Sequence, residues 1–388
     1  MARGLGGQTF QCVAAMDIWD EACRTFGANL GLSPVCDGVS RDSVARLLDV
    51  TGPIDIVTGG PPCQGFSTSG KRALDDPRNE LVRAYLDAVA LAHPRAFILE
   101  NVTGFTTFQG GSLMAEVVER ARAMGFRVFP GIVLASLHGV PQRRRRFIMV
   151  AVRDGEFKFP CHGVASPIST LFDVSGLCVD EWPGDGPEPW SFETATSDLA
   201  ELAAGETRNE YRCDPQNEFQ SWCRVGIKTP TDHVAVAHSA EFVEMMRFVP
   251  PGRSAIDPEI RACIPEQLRR GSGFANSYAR IRGDQPAPTI TRNFTTPSSA
   301  NCIHPVAHRA LSIREGARCQ SFPDSFQFTG SLTDRRLLIG NAVPPLLARS
   351  IGGALLQSLV GETDQSGVSP ARPASRRDRS GSRPASSP

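Results

Sequence analysis

One cysteine, Cys63, stands in a proline turn directly after an apolar segment that predicts a β-strand over residues 54–58. The surrounding run reads Gly59-Gly60-Pro61-Pro62-Cys63-Gln64-Gly65-Phe66-Ser67. Proline restricts its own φ angle and the residue before it, so two adjacent prolines hold the cysteine side chain in one direction. Open α/β folds bind ligands at the carboxyl ends of their strands, where this turn would lie. The position suits a nucleophile, although the run alone favours a buried cysteine that packs as a small apolar residue.

Three further motifs follow, each at the end of a predicted strand or the start of a predicted helix. The strand 96–99 leads into Glu100-Asn101-Val102, Gln142 precedes the four arginines 143–146, and Gly340-Asn341-Ala342-Val343-Pro344-Pro345 stands near the C-terminus. In this order the four motifs resemble the DNA cytosine-5 methyltransferase family. The resemblance includes the flanking residues 70–72, 76–79, 139–141 and 314–324, and it covers about residues 10–160 and 285–360.

The resemblance implies an α/β fold: a doubly wound, Rossmann-like S-adenosylmethionine-dependent methyltransferase domain with a smaller, irregular target-recognition domain. We place the catalytic domain at residues 1–160, the target-recognition domain at 161–300, a C-terminal return to the catalytic domain at 301–360 and a disordered tail at 361–388. The tail is rich in Ser, Pro, Ala and Arg without apolar periodicity. Apolar residues recur at helical spacing over 342–360, which predicts an amphipathic helix packed against the sheet.

The chemistry of cytosine methylation gives Cys63 and Glu100 candidate catalytic roles. Carbon 5 of cytosine becomes nucleophilic when a thiolate adds to carbon 6, and cysteine provides such a thiolate. An acid must then meet ring nitrogen 3, and a carboxyl group in a partly dry pocket can do so. Glu100 ends the strand that we expect to neighbour the strand leading to Cys63. Without Cys63, a helix cap would be the better interpretation of Glu100-Asn101.

The arginine run supplies the cation that this reaction needs. The ring carbonyl at position 2 gains negative charge, and a guanidinium is a permanently charged partner for it. By resemblance, Arg146 makes this contact and Arg144 supports the carboxylate and the nucleophile. Side chains two apart on a strand share a face, so both should point inward while Arg143 and Arg145 point elsewhere. A solvated basic stretch or a phosphate contact is the alternative, which we assign to Arg143 and Arg145.

A stacked base is out of reach of these groups, so the target cytosine must be flipped out of the duplex. We expect the loop 67–79 to close over it, with a plain surface loop as the alternative. By resemblance, the residues that contact the substrate are Pro61, Gln64, Ser67, Asn101, Gln142 and Thr289. Candidate base contacts in the recognition domain, each with a phosphate or solvent contact as the alternative, are Arg269, Arg270, Arg280, Arg282 and Arg292.

The family uses S-adenosylmethionine as methyl donor. In doubly wound folds an acidic residue at a strand end receives ribose hydroxyls, and Asp17, after the apolar residues 12–16, fits that role. The resemblance places Ile18 against the adenine and Asp37 at its amine, although Asp-Gly is also an ordinary turn. The remaining cofactor contacts that it implies are Pro62, Asn341 and Ala342. No metal is expected, because the eleven cysteines are scattered without a Cys-x-x-Cys pair.

The N-terminal region departs from the family. The family has a strand, a glycine-rich loop of the form Phe-x-Gly-x-Gly-Gly and a helix before the strand that ends at Asp17, whereas sixteen residues precede Asp17 here. We therefore expect that the first strand and the glycine loop are missing, through a misassigned start or a truncated gene. The sheet would then lack a central strand, and the chain as written could be unstable or inactive.

Equal numbers of basic and acidic residues, 41 of each, indicate a local DNA-binding patch. We expect double-stranded DNA as the partner, a monomer, and a cognate restriction endonuclease that could act separately. Scattered cysteines and the lack of a bilayer-spanning apolar run favour a cytoplasmic enzyme, nucleoid-associated when bound to DNA, without a membrane partner. Two alternatives stay open: the same chemistry on RNA, and a truncated, inactive DNA-binding homologue.

Overall fold

A computed structural model describes residues 10–62, 79–160, 188–271, 273–274 and 276–360. The strands in these ranges are β1 Met16–Asp17, β2 Val35–Cys36, β3 Ile56–Gly59, β4 Ala96–Asn101, β5 Arg127–Leu134, β6 Arg145–Val152, β7 Ala279–Arg280 and β8 Asn301–Ile303. The α-helices are α1 Asp20–Leu30, α2 Arg41–Thr51, α3 Asn79–Ala92, α4 Ser112–Ala123, α5 Phe192–Thr196, α6 Glu218–Cys223, α7 Ala240–Met246, α8 Pro258–Cys263, α9 Ile313–Cys319, α10 Leu332–Asn341 and α11 Pro345–Val360. Short 3-10 segments cover Thr103–Gly111, Ala135–His138 and Glu266–Leu268.

The main sheet has four strands in the order β3-β4-β6-β5. Strands β3 and β4 are parallel, with Gly59 opposite Leu99, and β6 runs antiparallel to both β4 and β5. The carboxyl ends of β3 and β4 therefore meet at one edge. This confirms the prediction that the strand leading to Cys63 neighbours the strand that ends at Glu100.

Strands β1 and β2 form a separate parallel pair, with Met16 opposite Val35. The strand predicted over residues 12–16 is thus shorter and lies one residue further along. One edge of β3 pairs with β4, and the part of the chain that the structure describes places no strand on its other edge. Residues 1–9, which include the glycines before β1, lie outside the described ranges.

The sheet buries both faces because β4 and β6 alternate their apolar side chains between two cores. Phe97 and Met149 point to the core shared with α3 and α4. Ile98 and Ile148 point to the opposite core, which α11 completes with its buried side chains. The residues of α11 in this core are Leu347, Ile351 and Leu355, with Leu359 packed against it. The predicted amphipathic helix is confirmed.

The C-terminal helices form a stretch of 29 residues, Leu332–Val360, which by length and composition alone could cross a membrane. In the structure it is interrupted between Asn341 and Pro345, where α10 ends and α11 begins. The buried face of α11 packs on the sheet. These residues therefore serve here as core helices.

Residues 188–300 contain short helices and little sheet. A small core forms around α7 and α8, with Met245, Met246 and Ile264 buried beside Ile303 of β8. Buried ion pairs join residues 188–300 to α9. Arg318 of α9 donates to both carboxylate oxygens of Asp198, and its Nε and a terminal nitrogen lie 2.9 and 2.6 Å from the carboxylate of Asp324. All three side chains are fully buried.

Replacing Arg318 by Met should destabilise the chain strongly, by about 3–5 kcal/mol, because it removes the nearest cation of two buried carboxylates. The ion pairs left to Asp198 and Asp324 are the longer ones with Arg224 and Arg314, at 3.3 and 3.9 Å. Urea unfolding monitored by tryptophan fluorescence measures the change. The matched control is Arg212→Met, which breaks the exposed pair of Arg212 with Glu201 and should change stability little. Equal effects of the two substitutions would contradict a structural role for the buried charges.

A histidine whose side chain is 18% exposed adds a pH dependence to the same region. His304 follows β8, and its Nδ1 accepts hydrogen bonds from the backbone N–H groups of Val306 and Ala307, at 3.2 and 3.0 Å. The proton of the neutral ring is therefore on Nε2, which lies 3.6 Å from Glu315. Burial lowers the pKa of His304 to about 4, although Glu315 opposes this shift.

Folded protein therefore keeps His304 neutral at pH values where the unfolded chain binds a proton. The free energy of unfolding should fall as the pH drops from the ordinary histidine pKa towards about 4. His304 should account for about 2 kcal/mol of this loss between about pH 7 and pH 5. Urea unfolding at several pH values measures this slope. His304→Asn keeps an acceptor for the backbone donors and should flatten the slope, and an unchanged slope would show that His304 does not cause it.

Candidate active site

The ends of β3 and β4 bring Glu100 against the turn that leads towards Cys63. A Cβ atom placed on Gly60 would lie 3.1 Å from Glu100 Oε2, so the carboxylate reaches the turn backbone because residue 60 has no side chain. Pro61 and Pro62 continue the turn at its surface. The predicted nucleophile Cys63 lies outside the described residues, as do Gln64, Ser67 and the loop up to residue 78.

Arg146 is the observed partner of the Glu100 carboxylate. Its Nε lies 2.9 Å from Glu100 Oε1, and the two side chains are only 14% and 13% exposed. The guanidinium also donates to the carbonyl of Arg145 at 2.7 Å, which holds it over the sheet edge. A charged pair at the border of solvent and core is screened less than a surface pair. The edge thus presents an acid and a cation side by side.

Asn101 ties the two strand ends together. Its side-chain amide donates to the carbonyl of Pro61 at 3.2 Å, and its Oδ1 accepts from the backbone N–H of Val102 at 2.9 Å. The side chain is almost completely buried. Asn101 was predicted as a substrate contact, and this arrangement makes it a brace between β4 and the proline turn.

Arg144 joins the catalytic sheet to the returning C-terminal segment. Its guanidinium is buried and donates to the carbonyls of Ile290, Gly340 and Ala342, at 2.9, 3.1 and 3.1 Å. By resemblance, Arg146 was predicted to contact the base and Arg144 to support the carboxylate and the nucleophile. In the structure Arg146 pairs with the Glu100 carboxylate. The observed hydrogen bonds of Arg144 support the segment that carries Asn341 and Ala342.

Gln142 is buried and satisfied. Its amide nitrogen donates to the carbonyl of Cys319 and to the side chain of Gln320, and its Oε1 accepts from the backbone N–H of Ile290. This uses both amide hydrogens, so its position favours a structural role over the predicted substrate contact. Thr289 is exposed, with its hydroxyl donating to the carbonyl of Arg143 at 3.0 Å.

Two structural residues of this junction had no role in the sequence analysis. Gly340 packs so closely that a Cβ there would lie 2.3 Å from the backbone nitrogen of Arg292. Gln320 donates to the carbonyl of Ile339 at 2.7 Å and meets Gln142 in the interior. Gln320 lies in the motif 314–324 and Gly340 in the motif 340–345, so the resemblance could have marked both residues. It could not show what they contact, because Gln142 and Arg292 lie far from them in sequence.

The predicted cofactor residues stand at the ends of parallel strands. Asp17 ends β1 and Asp37 follows β2, and both side chains are exposed. Asp17 accepts a hydrogen bond from the backbone N–H of Trp19, and Asp37 pairs with Arg46 at 3.3 Å. The apolar side chain of Ile18 is 79% exposed beside Asp17. Two carboxylates and an exposed apolar side chain fit the hydroxyl, amine and ring of an adenosine group.

Asn341 and Ala342 lie at the end of α10. Asn341 is exposed, while the carbonyl of Ala342 accepts from Arg144. Pro62 is exposed at the proline turn. The groups of His, Cys, Asp and Glu in the described residues include none arranged to hold a metal ion.

One predicted base contact is wrong. Arg280 is 3% exposed and donates to the carbonyls of Val249, Met246, His304 and Ala307, so its guanidinium joins the backbone at the end of α7 to the backbone after β8. Sequence alone could not show this, because the four acceptors are backbone atoms. Other arginines of the predicted set make local contacts: Arg282 pairs with Asp284, and Arg269 donates to the carbonyl of Ile264.

Comparisons with known proteins agree with this geometry. A family model described as C-5 cytosine-specific DNA methylase matches residues 1–357. The type II methyltransferase M.AgeI of Thalassovita gelatinovora is 33% identical, over 77% of this chain and 82% of that protein. The type II methyltransferase M1.HphI of Haemophilus parahaemolyticus is 32% identical, over 90% of this chain and 81% of that protein.

The fold is also similar to a solved structure. A prophage-encoded Escherichia coli chain, described as a DNA modification methyltransferase, superposes with a TM-score of 0.68 at 22% identity and covers 92% of this chain and 94% of its own length. This likeness concerns the fold. From the family match and the relatives, the chain belongs to the C-5 cytosine-specific DNA methylase family, has a Rossmann-like methyltransferase fold and is a DNA (cytosine-5-)-methyltransferase.

Proposed function

We propose that the chain transfers a methyl group from S-adenosylmethionine to carbon 5 of a cytosine flipped out of a specific duplex DNA sequence, through a transient covalent bond to Cys63. The observation that carries this proposal is the pair of Glu100 and Arg146 at the sheet edge, against the turn that leads to Cys63. An acid and a guanidinium at this place match the two sites on the ring that gain charge.

The covalent steps follow from the chemistry of cysteine. The Cys63 thiolate adds to carbon 6, which forms a sulfur–carbon bond and opens the double bond between carbons 5 and 6. Carbon 5 is then nucleophilic and would take the methyl group as the methyl–sulfur bond of the donor breaks, with S-adenosylhomocysteine as the leaving group. Loss of the proton from carbon 5 to solvent drives elimination of the thiolate, which restores the double bond and the free enzyme.

Glu100 and Arg146 act on the charge that this addition creates. We assign to Glu100, after its carboxylate has taken up a proton from solvent, the donation of a proton or hydrogen bond to ring nitrogen 3, and to Arg146 the hydrogen bond to the carbonyl oxygen at position 2. Their own ion pair holds both side chains at the edge before the base arrives. Asn101 keeps the proline turn at a fixed distance from Glu100 through the carbonyl of Pro61.

The cofactor would be held by Asp17 at the ribose hydroxyls, by Ile18 against the adenine and by Asp37 at its amine. Pro62, Asn341 and Ala342 complete the set. When bound, S-adenosylmethionine supplies a methyl group activated on a sulfonium. The support for this assignment is the placement of both aspartates at the carboxyl ends of neighbouring parallel strands.

Residues 161–300 would recognise the DNA sequence. Within them, Thr289 contacts the arginine run 143–146 through the carbonyl of Arg143. We propose that the chain acts on duplex DNA as a monomer in the cytoplasm. A cognate restriction endonuclease would act separately, as the type II relatives suggest.

Cys63→Ser should abolish methyl transfer, because a serine hydroxyl is far less acidic than a thiol. Transfer of a labelled methyl group to unmethylated genomic DNA measures activity. Wild-type protein should also become crosslinked to duplexes that contain 5-fluorocytosine, and the serine variant should bind DNA without crosslinking. Turnover by the variant would identify a different nucleophile. Label found in tRNA alone would replace DNA by RNA as the substrate.

Glu100→Gln should lower the rate of methyl transfer about a hundredfold or more, because it removes the proton that ring nitrogen 3 receives. Single-turnover kinetics at saturating DNA measures the chemical step. The matched control is Glu116→Gln, because Glu116 pairs with Arg83 at 2.7 Å on the outer helices and should leave the rate unchanged. A similar rate for wild type and Glu100→Gln would contradict the assigned role.

A further inference from the structure

A cleft with a volume of about 440 Å³ lies between α7, the segment 295–298 and the first turn of α10. Two arginines, Arg270 and Arg336, line it together with hydroxyl groups, among them those of Thr295 and Thr296. The residues of the described chain that line the cleft include no aspartate and no glutamate. The cleft is therefore cationic and rich in hydrogen-bond donors, which is the chemistry that binds anions.

In both arginines one guanidinium N–H donor is without a hydrogen-bond acceptor in the described part of the chain. The Nε atoms of Arg270 and Arg336 are buried, and neither has a hydrogen-bond partner within the described ranges. Arg253, by contrast, contacts Asp257 and Glu259 at 2.8 and 2.9 Å. Because Arg270 and Arg336 both line the cleft, their guanidinium groups are the cationic donors that an acceptor in it would meet.

The two guanidinium groups are also held in place. The Arg270 guanidinium lies over the ring of Phe242, 4.9 Å from its centroid, and Phe242 in turn packs edge-on against Tyr278. Arg336 donates to the hydroxyl of Thr296 at 2.7 Å. These contacts reduce the conformational entropy that each long side chain would lose on binding a ligand.

The position of the cleft points to the DNA substrate. Its wall 295–298 begins six residues after Thr289. The hydroxyl of Thr289 donates to the carbonyl of Arg143, in the arginine run 143–146. A second wall is α10, in which Arg336 stands five residues before Asn341, which is about 7.5 Å along a helix. The carbonyls of Gly340 and Ala342, on either side of Asn341, accept hydrogen bonds from Arg144. Both walls therefore belong to segments that contact the arginine run 143–146.

We propose that this cleft binds a backbone phosphate of the DNA duplex, with Arg270 and Arg336 as its two donors. The proposal rests on the proposed function, because it takes DNA as the substrate. Guanidinium groups bind phosphate through parallel N–H donors, and hydroxyls such as Thr295 can add hydrogen bonds. A phosphate contact positions the duplex and carries no sequence information.

Arg270→Gln and Arg336→Gln should each weaken binding of mixed-sequence duplexes about tenfold and lower the salt slope of the affinity by about one, because one phosphate contact is lost. Fluorescence anisotropy at several salt concentrations measures both quantities. Arg336→Lys should restore most of the affinity, since it keeps the charge. Arg253→Gln is the matched control, because its carboxylate partners already neutralise it, and it should leave the slope unchanged. Circular dichroism verifies that each variant is folded.

The outcomes separate this proposal from the catalytic one. With saturating DNA, both Gln variants should still crosslink to 5-fluorocytosine, because the cleft does not touch the reacting base. Wild type that binds DNA in the expected salt-dependent way but never crosslinks would overturn the catalytic proposal alone. Loss of affinity for only one DNA sequence would show base reading and overturn the phosphate assignment. In a further outcome, wild type binds inorganic phosphate or a mononucleotide, and the Gln variants lose this binding without any change in DNA affinity. The cleft would then bind a free anion, and the DNA phosphate assignment would be overturned.

Discussion

The parallel pairing of β3 with β4 is the constraint on which the rest of the site depends. Its register sets Gly59 beside Leu99, so the next residues of both strands, Gly60 and Glu100, emerge at the same edge. The carboxylate can then lie against the turn because Gly60 has no side chain. A shift by one residue would turn Glu100 to the other face of the sheet and separate it from the turn. The chemistry of the edge follows from backbone hydrogen bonds.

Arginine has two distinct uses in this protein. At the sheet edge, Arg146 presents charge to a site that a substrate can reach. In the interior, Arg144, Arg280 and Arg318 hold separate chain segments together by donating to carbonyls or buried carboxylates. The planar guanidinium suits both uses, since its donors lie in fixed directions. The same residue type therefore supplies both the charge beside Glu100 and the contacts that join separate segments of the fold.

Much of the architecture was predictable because it depends on local patterns. The apolar run before Glu100 became β4, and the helical spacing of Leu347, Ile351 and Leu355 became the buried face of α11. The sequence analysis expected β3 and β4 to be neighbours, and the structure shows that they pair. The roles of Gln142 and Arg280 were not predictable, because most of their partners are backbone groups far along the chain that no side-chain pattern reveals.

The sequence by itself determined the family, the order of strands and helices and the residue types available for the reaction. Those follow from motifs and apolar periodicity, which act over short distances. Only the tertiary structure decided which arginine meets Glu100, why Arg144 supports the returning segment, and that Arg270 and Arg336 share one cleft. Each of these depends on long-range packing, because a guanidinium takes whichever acceptors the folded backbone brings within reach.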